Sequence, residues 1–237
     1  MNEKIYTIPV NEAFEASEAD PKCGCPFCTI YRKLEQNELT SILGGAMMES
    51  DIRIKTNEAG FCREHFDKLL AAKNRLSLAL ILESHLDEVQ KAVVGSKAAD
   101  LLKGKGTSAI AAAEKLEKSC YICGKIDFFI GKMFETAVWL WETEREFRAR
   151  TDRQPYFCLP HYKTFLTVGK NKLPKKVYGD FYDAVSAVEE RYMKTLCEDV
   201  SWFCKKFDYR YTEEPWYNAK DAVERAAAFL GGKTTDK

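Results

Sequence analysis

Four short stretches carry the residues that could do chemistry. Cys25 and Cys28 stand in CGCPFC, and Cys62 and His65 stand in FCREH. Far down the chain, Cys120 and Cys123 stand in SCYIC, and Cys158 and His161 stand in FCLPH. A CxxC pair has two chemistries. It is a redox dithiol when it follows a strand and opens a helix in a thioredoxin-like βαβ unit, and half of a metal site when two more soft donors join it. The residues before Cys25, EASEADPKCG, have no strand character, and the second pair lacks the proline of CPFC. The spacing decides between them. Cys62 lies 34 positions after Cys28, and Cys158 lies 35 positions after Cys123. A tetrahedral zinc ion needs four donors around one point; a CxxC knuckle supplies two and a CxxH pair on the first turn of a helix supplies two more. The positive end of that helix favours thiolate over thiol. The expected sites are therefore Cys25, Cys28, Cys62 and His65 as one Cys3His set, and Cys120, Cys123, Cys158 and His161 as the other. Four protein donors leave no open position, so two structural zinc ions are expected rather than a catalytic one. An iron–sulfur cluster, which more often uses four cysteines, is the lesser alternative.

The remaining candidates are weaker. Cys23 has no counterpart in the second set, and either replaces Cys25 as a ligand or stands beside the site as a reactive free thiol. Cys197 and Cys204, seven apart in an aromatic-rich helical segment, are expected to be small buried hydrophobes. Glu64, inside CREH, is matched by Pro160 in the other copy, which argues against a shared general base. His85, in LILESHLDEVQ, has no nucleophile or carboxylate constellation around it and is expected at a solvent edge or in the core. Phe128, Phe129, Met133, Phe134, Trp139, Leu140 and Trp141 form a stripe expected in the core. The chain has no glycine-rich phosphate loop, no GxSxG and no HExxH. No catalytic residue is assigned.

These motifs repeat. Aromatic residues flank both CxxH pairs, KNRL at Lys73 is echoed by KNKL at Lys170, and the offset between copies is 95 to 97 positions. Such an offset points to a duplicated unit. Apolar residues at helical spacing follow Cys28 (Ile30, Leu34, Leu39, Ile42, Leu43), and strand alternation is nearly absent. Loops are expected at SDIRIKTNEAG and RTDRQPY. One long helix is expected from CREHF through VQKAV, and its second copy is expected to break near Gly169 and Pro174. The last helix should stop at Gly231 and Gly232. The fold class is thus mainly α: two tandem helical repeats, each with a treble-clef-like Cys3His zinc site joining a CxxC knuckle to a helix N-terminus. Residues 1–95 form the first unit, 96–108 a Gly- and Lys-rich linker, and 109–237 the second unit with a C-terminal helix. The two units can also pack as one compact domain.

Bulk properties narrow the function classes. The 237 residues are 46% hydrophobic and 30% charged, with 36 basic against 36 acidic residues, so no global field draws the chain to nucleic acid or an anionic membrane. KNKLPKK and KGKG are local basic stretches, but acid-rich neighbours such as WETEREF make nucleic-acid binding the weaker reading. The longest apolar stretch, LSLALIL, is too short to span a bilayer. The opening residues have no apolar leader core and carry acid early, so a cytoplasmic location is expected, where nine cysteines point to metal or redox work rather than disulfides. The expected function is a cytosolic zinc-binding interaction or scaffold module with a protein partner. A thiol-based redox or metal sensor is the leading alternative, ahead of a nucleic-acid binder and an enzyme with an apolar pocket.

Taken together, IPVNEAFE, CPFC, ILGGAMMESDIRI, GFCREHF, NRLSLALILESHLDE and PWYNAKDA resemble an uncharacterised bacterial family, a domain of unknown function with duplicated CxxC and FCxxH motifs. Its members are sometimes labelled as ABC-transporter substrate-binding components. This sequence shows neither an export signal nor a two-lobed α/β pattern, which argues against that label. The resemblance spans essentially the whole chain and implies no activity.

Overall fold

The computed structural model describes residues 4–94 and 106–232. These form eleven α-helices with short 3-10 turns between them, and the described residues contain no strand. In chain order the helices are α1 (Thr7–Ala19), α2 (Pro26–Leu43), α3 (Ser50–Ala59), α4 (Arg63–Ala71), α5 (Arg75–Val93), α6 (Thr107–Glu117), α7 (Tyr121–Thr143), α8 (Arg145–Asp152), α9 (Leu159–Lys172), α10 (Lys175–Lys205) and α11 (Ala222–Gly231). The mainly α class expected from the sequence is the class observed. The linker expected at 96–108 falls largely outside the described residues, which resume at Gly106 in time for α6.

Several local expectations change. SDIRIKTNEAG is the helix α3 rather than a loop. Its β-branched residues lower helix propensity, but packing on α5 overrides that, with Arg53 Nη2 donating to the Leu80 carbonyl at 3.0 Å. The long helix from CREHF is interrupted. Lys73 takes φ 61°, and Asn74 restarts the chain as N-cap of α5, its Oδ1 accepting from the Ser77 N–H at 3.3 Å while its amide donates to the Leu43 carbonyl at 2.8 Å. In the second copy the helix runs through Gly169 and stops at Leu173, where Pro174 caps α10. Gly169 is there for packing: a Cβ at this position would lie 2.4 Å from the Phe181 ring. Cys197 and Cys204 are exposed on α10, not buried.

The chain gathers into two compact units, residues 1–32 with 130–237, and residues 33–129. These are not the sequence halves 1–95 and 109–237. The helices α2 and α7 each begin in one unit and end in the other, which no division of the chain into two contiguous pieces can reproduce.

The larger unit is built on phenylalanine. Phe14, Phe27, Phe134, Phe147, Phe157, Phe165 and Phe181 are all fully buried. Phe27 stacks on Phe134 at 3.9 Å between ring centroids, and Phe165 meets Phe181 edge-on at 4.9 Å. Most of the expected aromatic stripe, namely Met133, Phe134, Leu140 and Trp141, lies in this core, whereas Phe128 is exposed. The smaller unit is aliphatic, with Ile42, Leu69, Leu78, Ile81, Ile122 and Ile126 buried. His85 belongs to it as a core histidine: its Nδ1–H donates to the Asn57 carbonyl at 2.9 Å and so holds the end of α3 against α5. No helix among the described residues is long and apolar enough to cross a membrane.

Candidate metal centres

Each of the eight ligand candidates sits at a helix start. Cys62 is the N-cap of α4 and Cys158 the N-cap of α9, which puts His65 and His161 on the first turns of those helices. The CxxC pairs follow the same plan. Cys25 immediately precedes α2 and Cys120 immediately precedes α7, with Cys28 and Cys123 in the first turns. The Cys28 N–H bonds back to the Cys25 carbonyl at 3.0 Å, so what the spacing suggested as a free knuckle is the opening turn of a helix.

The eight residues converge in two sets of four, and the sets are crossed. Cys25, Cys28, Cys158 and His161 form one group; Cys62, His65, Cys120 and Cys123 form the other, and in each the donor atoms lie within 4.8 Å of one another. The grouping of Cys25 and Cys28 with Cys62 and His65, and of Cys120 and Cys123 with Cys158 and His161, is therefore corrected: the first CxxC meets the second CxxH, and the second CxxC meets the first CxxH. Each group lies wholly within one compact unit, which is why the units depart from the sequence halves.

The distances have the size a tetrahedral ion requires. Metal–sulfur bonds of about 2.3 Å and metal–nitrogen bonds of about 2.0 Å imply S···N edges near 3.5 Å and S···S edges near 3.8 Å. In the first group, His161 Nδ1 lies 3.6, 3.4 and 3.1 Å from the sulfurs of Cys25, Cys28 and Cys158, and the Cys28 and Cys158 sulfurs are 3.5 Å apart. In the second, His65 Nδ1 lies 3.2, 3.3 and 3.4 Å from the sulfurs of Cys62, Cys120 and Cys123, and the Cys62 and Cys123 sulfurs are 3.9 Å apart.

Electrostatics ask for a cation at the same points. Burial, reinforced by the Cys158 and Cys28 sulfurs, pushes the Cys25 thiol up, while hydrogen bonds from Cys158 and Cys25 pull the Cys28 thiol down. Burial and the Cys120 and Cys62 sulfurs push the Cys123 thiol up as well. Packed sulfurs cannot all ionise together, and a divalent ion removes that conflict. Both groups are thus placed to bind a metal ion.

The two surroundings differ. All four donors of the first group are buried, with His161 set 5.7 Å from the Phe134 ring and 6.0 Å from the Phe27 ring. In the second, His65 is buried but the thiols of Cys62 and Cys123 are partly exposed. His65 turns Nδ1 to the sulfurs and Nε2 to Glu35 Oε1 at 3.2 Å, and Lys68 Nζ holds both Glu35 oxygens at 2.7 Å. Burial lowers the His65 pKa against the opposing pull of Glu35, which favours the neutral ring a metal needs. A carboxylate behind a histidine fixes its tautomer and orientation. Sequence reasoning missed Glu35, because 30 residues separate it from His65 and nothing local marks it.

Glycine makes room for the ligands at two points. Gly60 (φ 58°) and Gly24 (φ 73°) precede Cys62 and Cys25. A Cβ at Gly60 would lie 2.9 Å from His85 Nε2, and one at Gly24 would lie 2.9 Å from the Tyr156 hydroxyl. Cys23 belongs to neither group. Its thiol is half-buried, and its carbonyl accepts from Arg32 Nη2 at 3.2 Å. Glu64 pairs with Lys68 at 3.0 Å on the α4 surface.

A family model described as a family of unknown function, DUF6062, matches residues 1–237. The chain belongs to that family. No curated protein and no solved structure matches the chain. Membership in DUF6062 carries no assigned activity and no transporter role, so the chemistry of this member rests on its two donor sets.

Paired substitutions test the crossed grouping. Cys25→Ala with Cys158→Ala removes two donors from one group and should cost one bound metal equivalent, whereas Cys25→Ala with Cys62→Ala breaks both groups and should cost two. Elemental analysis of the purified double variants reads the result, and the reverse pattern would restore the grouping within halves.

Proposed function

We propose that this DUF6062 protein is a structural-zinc protein of the cytosol whose helical surface serves as a docking scaffold for a protein partner. The closed four-donor sets are the observation that carries the zinc half of this reading. Three thiolates and one imidazole match Zn2+ better than an all-oxygen cation or a four-cysteine cluster, and a filled tetrahedron leaves no position for a substrate. Nine unpaired cysteines suit a reducing compartment.

Support for a partner comes from the end of α10. Phe207, Tyr209 and Tyr217 are 75%, 85% and 69% exposed within one short segment. That segment is shaped rather than loose. Lys206, itself buried, donates to the carbonyls of Tyr211 at 2.7 Å and Thr212 at 2.8 Å, and the Trp202 indole N–H donates to the Pro215 carbonyl at 3.0 Å. Tyr217 is held at φ 51°, an uncommon backbone conformation for an aromatic residue. Rigid exposed aromatic side chains are the usual anchors of protein interfaces.

A second reading has its own observation. The partly exposed thiols of Cys62 and Cys123 are open to oxidants that the buried first centre excludes, so the second centre would serve as a thiol sensor that releases its ion on oxidation.

Protein purified without chelator or added metal should contain two zinc ions per chain by elemental analysis; iron, or a content near zero, would overturn the structural-zinc reading. For the scaffold, a photo-crosslinking side chain at Tyr209 in the native host should yield a discrete protein adduct that the same group at exposed Thr167 does not. Equal labelling from both positions would remove the docking role. For the sensor, peroxide titration should release one equivalent of metal well before the other, with Cys62 and Cys123 oxidised first by mass spectrometry. Simultaneous release of both ions would leave only the structural role.

A further inference from the structure

The larger unit contains a groove of about 530 Å³ bordered by α9, α10 and α11. It lies on the side of α9 that carries Leu159 and Tyr162, which the metal ligands of that helix do not use. Small-molecule sites fall in this size range and combine apolar walls with a few placed polar groups. Here Leu159, Met193 and Phe229 give the apolar walls, and the Tyr162 hydroxyl bonds to Ser186 Oγ at 2.9 Å, tying α9 to α10.

The polar group of interest is Glu189, which borders the groove yet is only 4% exposed. One of its oxygens accepts the Phe157 N–H at 2.8 Å; the other has no hydrogen-bond partner. Buried carboxyl oxygens without partners are rare in native folds and call for an explanation. Burial pushes the Glu189 carboxyl up to about 8 against the Phe157 N–H, and no cation among the described residues offsets that burial. With Glu189 ionised, the groove lining carries two carboxylates, Glu189 and Glu190, against the single cation Lys194.

We propose that this groove binds an amphipathic primary amine, with the ammonium on Glu189 and the apolar chain along Leu159, Met193 and Phe229. An ammonium supplies both the missing donor and the missing positive charge. An alcohol supplies only the donor, and a carboxylate supplies repulsion. The site goes beyond the zinc and scaffold reading and does not depend on which metal fills the centres.

Titration calorimetry of the metal-loaded full chain with n-octylammonium, n-octanol and n-octanoate, each below its aggregation limit, tests the assignment. It is run at about pH 9, where Glu189 is ionised and a primary ammonium, titrating at about 10.4 as in lysine, keeps its charge. Octylammonium should saturate one site, octanol should bind at least about tenfold more weakly, and octanoate should not bind. Glu189→Gln keeps an acceptor for the Phe157 N–H and should weaken octylammonium at least about tenfold while leaving octanol unchanged. Met193→Arg places a cation one helical turn from Glu189 and should abolish octylammonium binding with metal content unchanged. This second variant decides the matter should Glu189→Gln fail to fold. Failure of octylammonium to bind, equal binding of octanoate, or full affinity in Met193→Arg would each overturn the proposal, and none of these outcomes would alter the zinc stoichiometry.

Discussion

Two helix N-termini meet at each four-donor group, α2 with α9 and α4 with α7, and the surrounding structure is organised around keeping them together. A divalent ion with three thiolates and a neutral imidazole carries one net negative charge. Each helix start contributes roughly half a positive charge, so a pair of them comes close to neutralising the centre. This lets the first group sit deep in a phenylalanine core without a charged side chain beside it. The flanking details follow from the same demand. Gly24 and Gly60 let the backbone reach the donors, and Glu189 holds the Phe157 N–H just ahead of Cys158.

One donor set in two environments gives two different physical objects. The first centre has aromatic rings around its imidazole and no solvent-exposed sulfur. The second relies on a polar relay, in which Lys68 fixes Glu35 and Glu35 fixes His65, while Cys62 and Cys123 remain partly exposed. Donor geometry sets what each can bind. Burial sets how fast an ion or an oxidant can come and go. The more exposed centre is the one an ion or an oxidant reaches more readily, and the buried one is suited to holding the larger unit in shape.

Much of this was legible in the residues. The eight residues that converge in the two donor groups, the helical class, the final helix ending at Gly232 and the core role of most of the aromatic stripe could all be read from spacing and periodicity. Helix α3 was not legible, because Ile52, Ile54 and Thr56 look unfavourable locally and gain their helicity only by packing on α5. The break at Lys73 was hidden because Asn74 acts as a cap through a distant partner, the Leu43 carbonyl. Exposure of Cys197 and Cys204 was missed for a related reason: cysteine's usual burial is an average, and on α10 these two positions fall on the outward face.

The crossed grouping was the least legible feature, and loop entropy explains why. Contiguity favours joining Cys28 to Cys62 over joining Cys28 to Cys158, which lies 130 residues away. Closure cost, however, grows only with the logarithm of loop length, so the longer closure costs about 1 kcal/mol more. Structural zinc contributes on the order of 10 kcal/mol to folding. A difference that small cannot choose between two chemically equivalent CxxC pairs. The choice falls to packing: Phe27, inside the first CxxC, stacks on Phe134 and lies 5.1 Å from Phe165 of α9, so the hydrophobic core seats Cys25 and Cys28 beside Cys158 and His161. The chain supplies chemically equivalent donors, and the apolar residues between them select the partner. Neither half of the sequence holds a complete donor set, and each centre draws on residues from both.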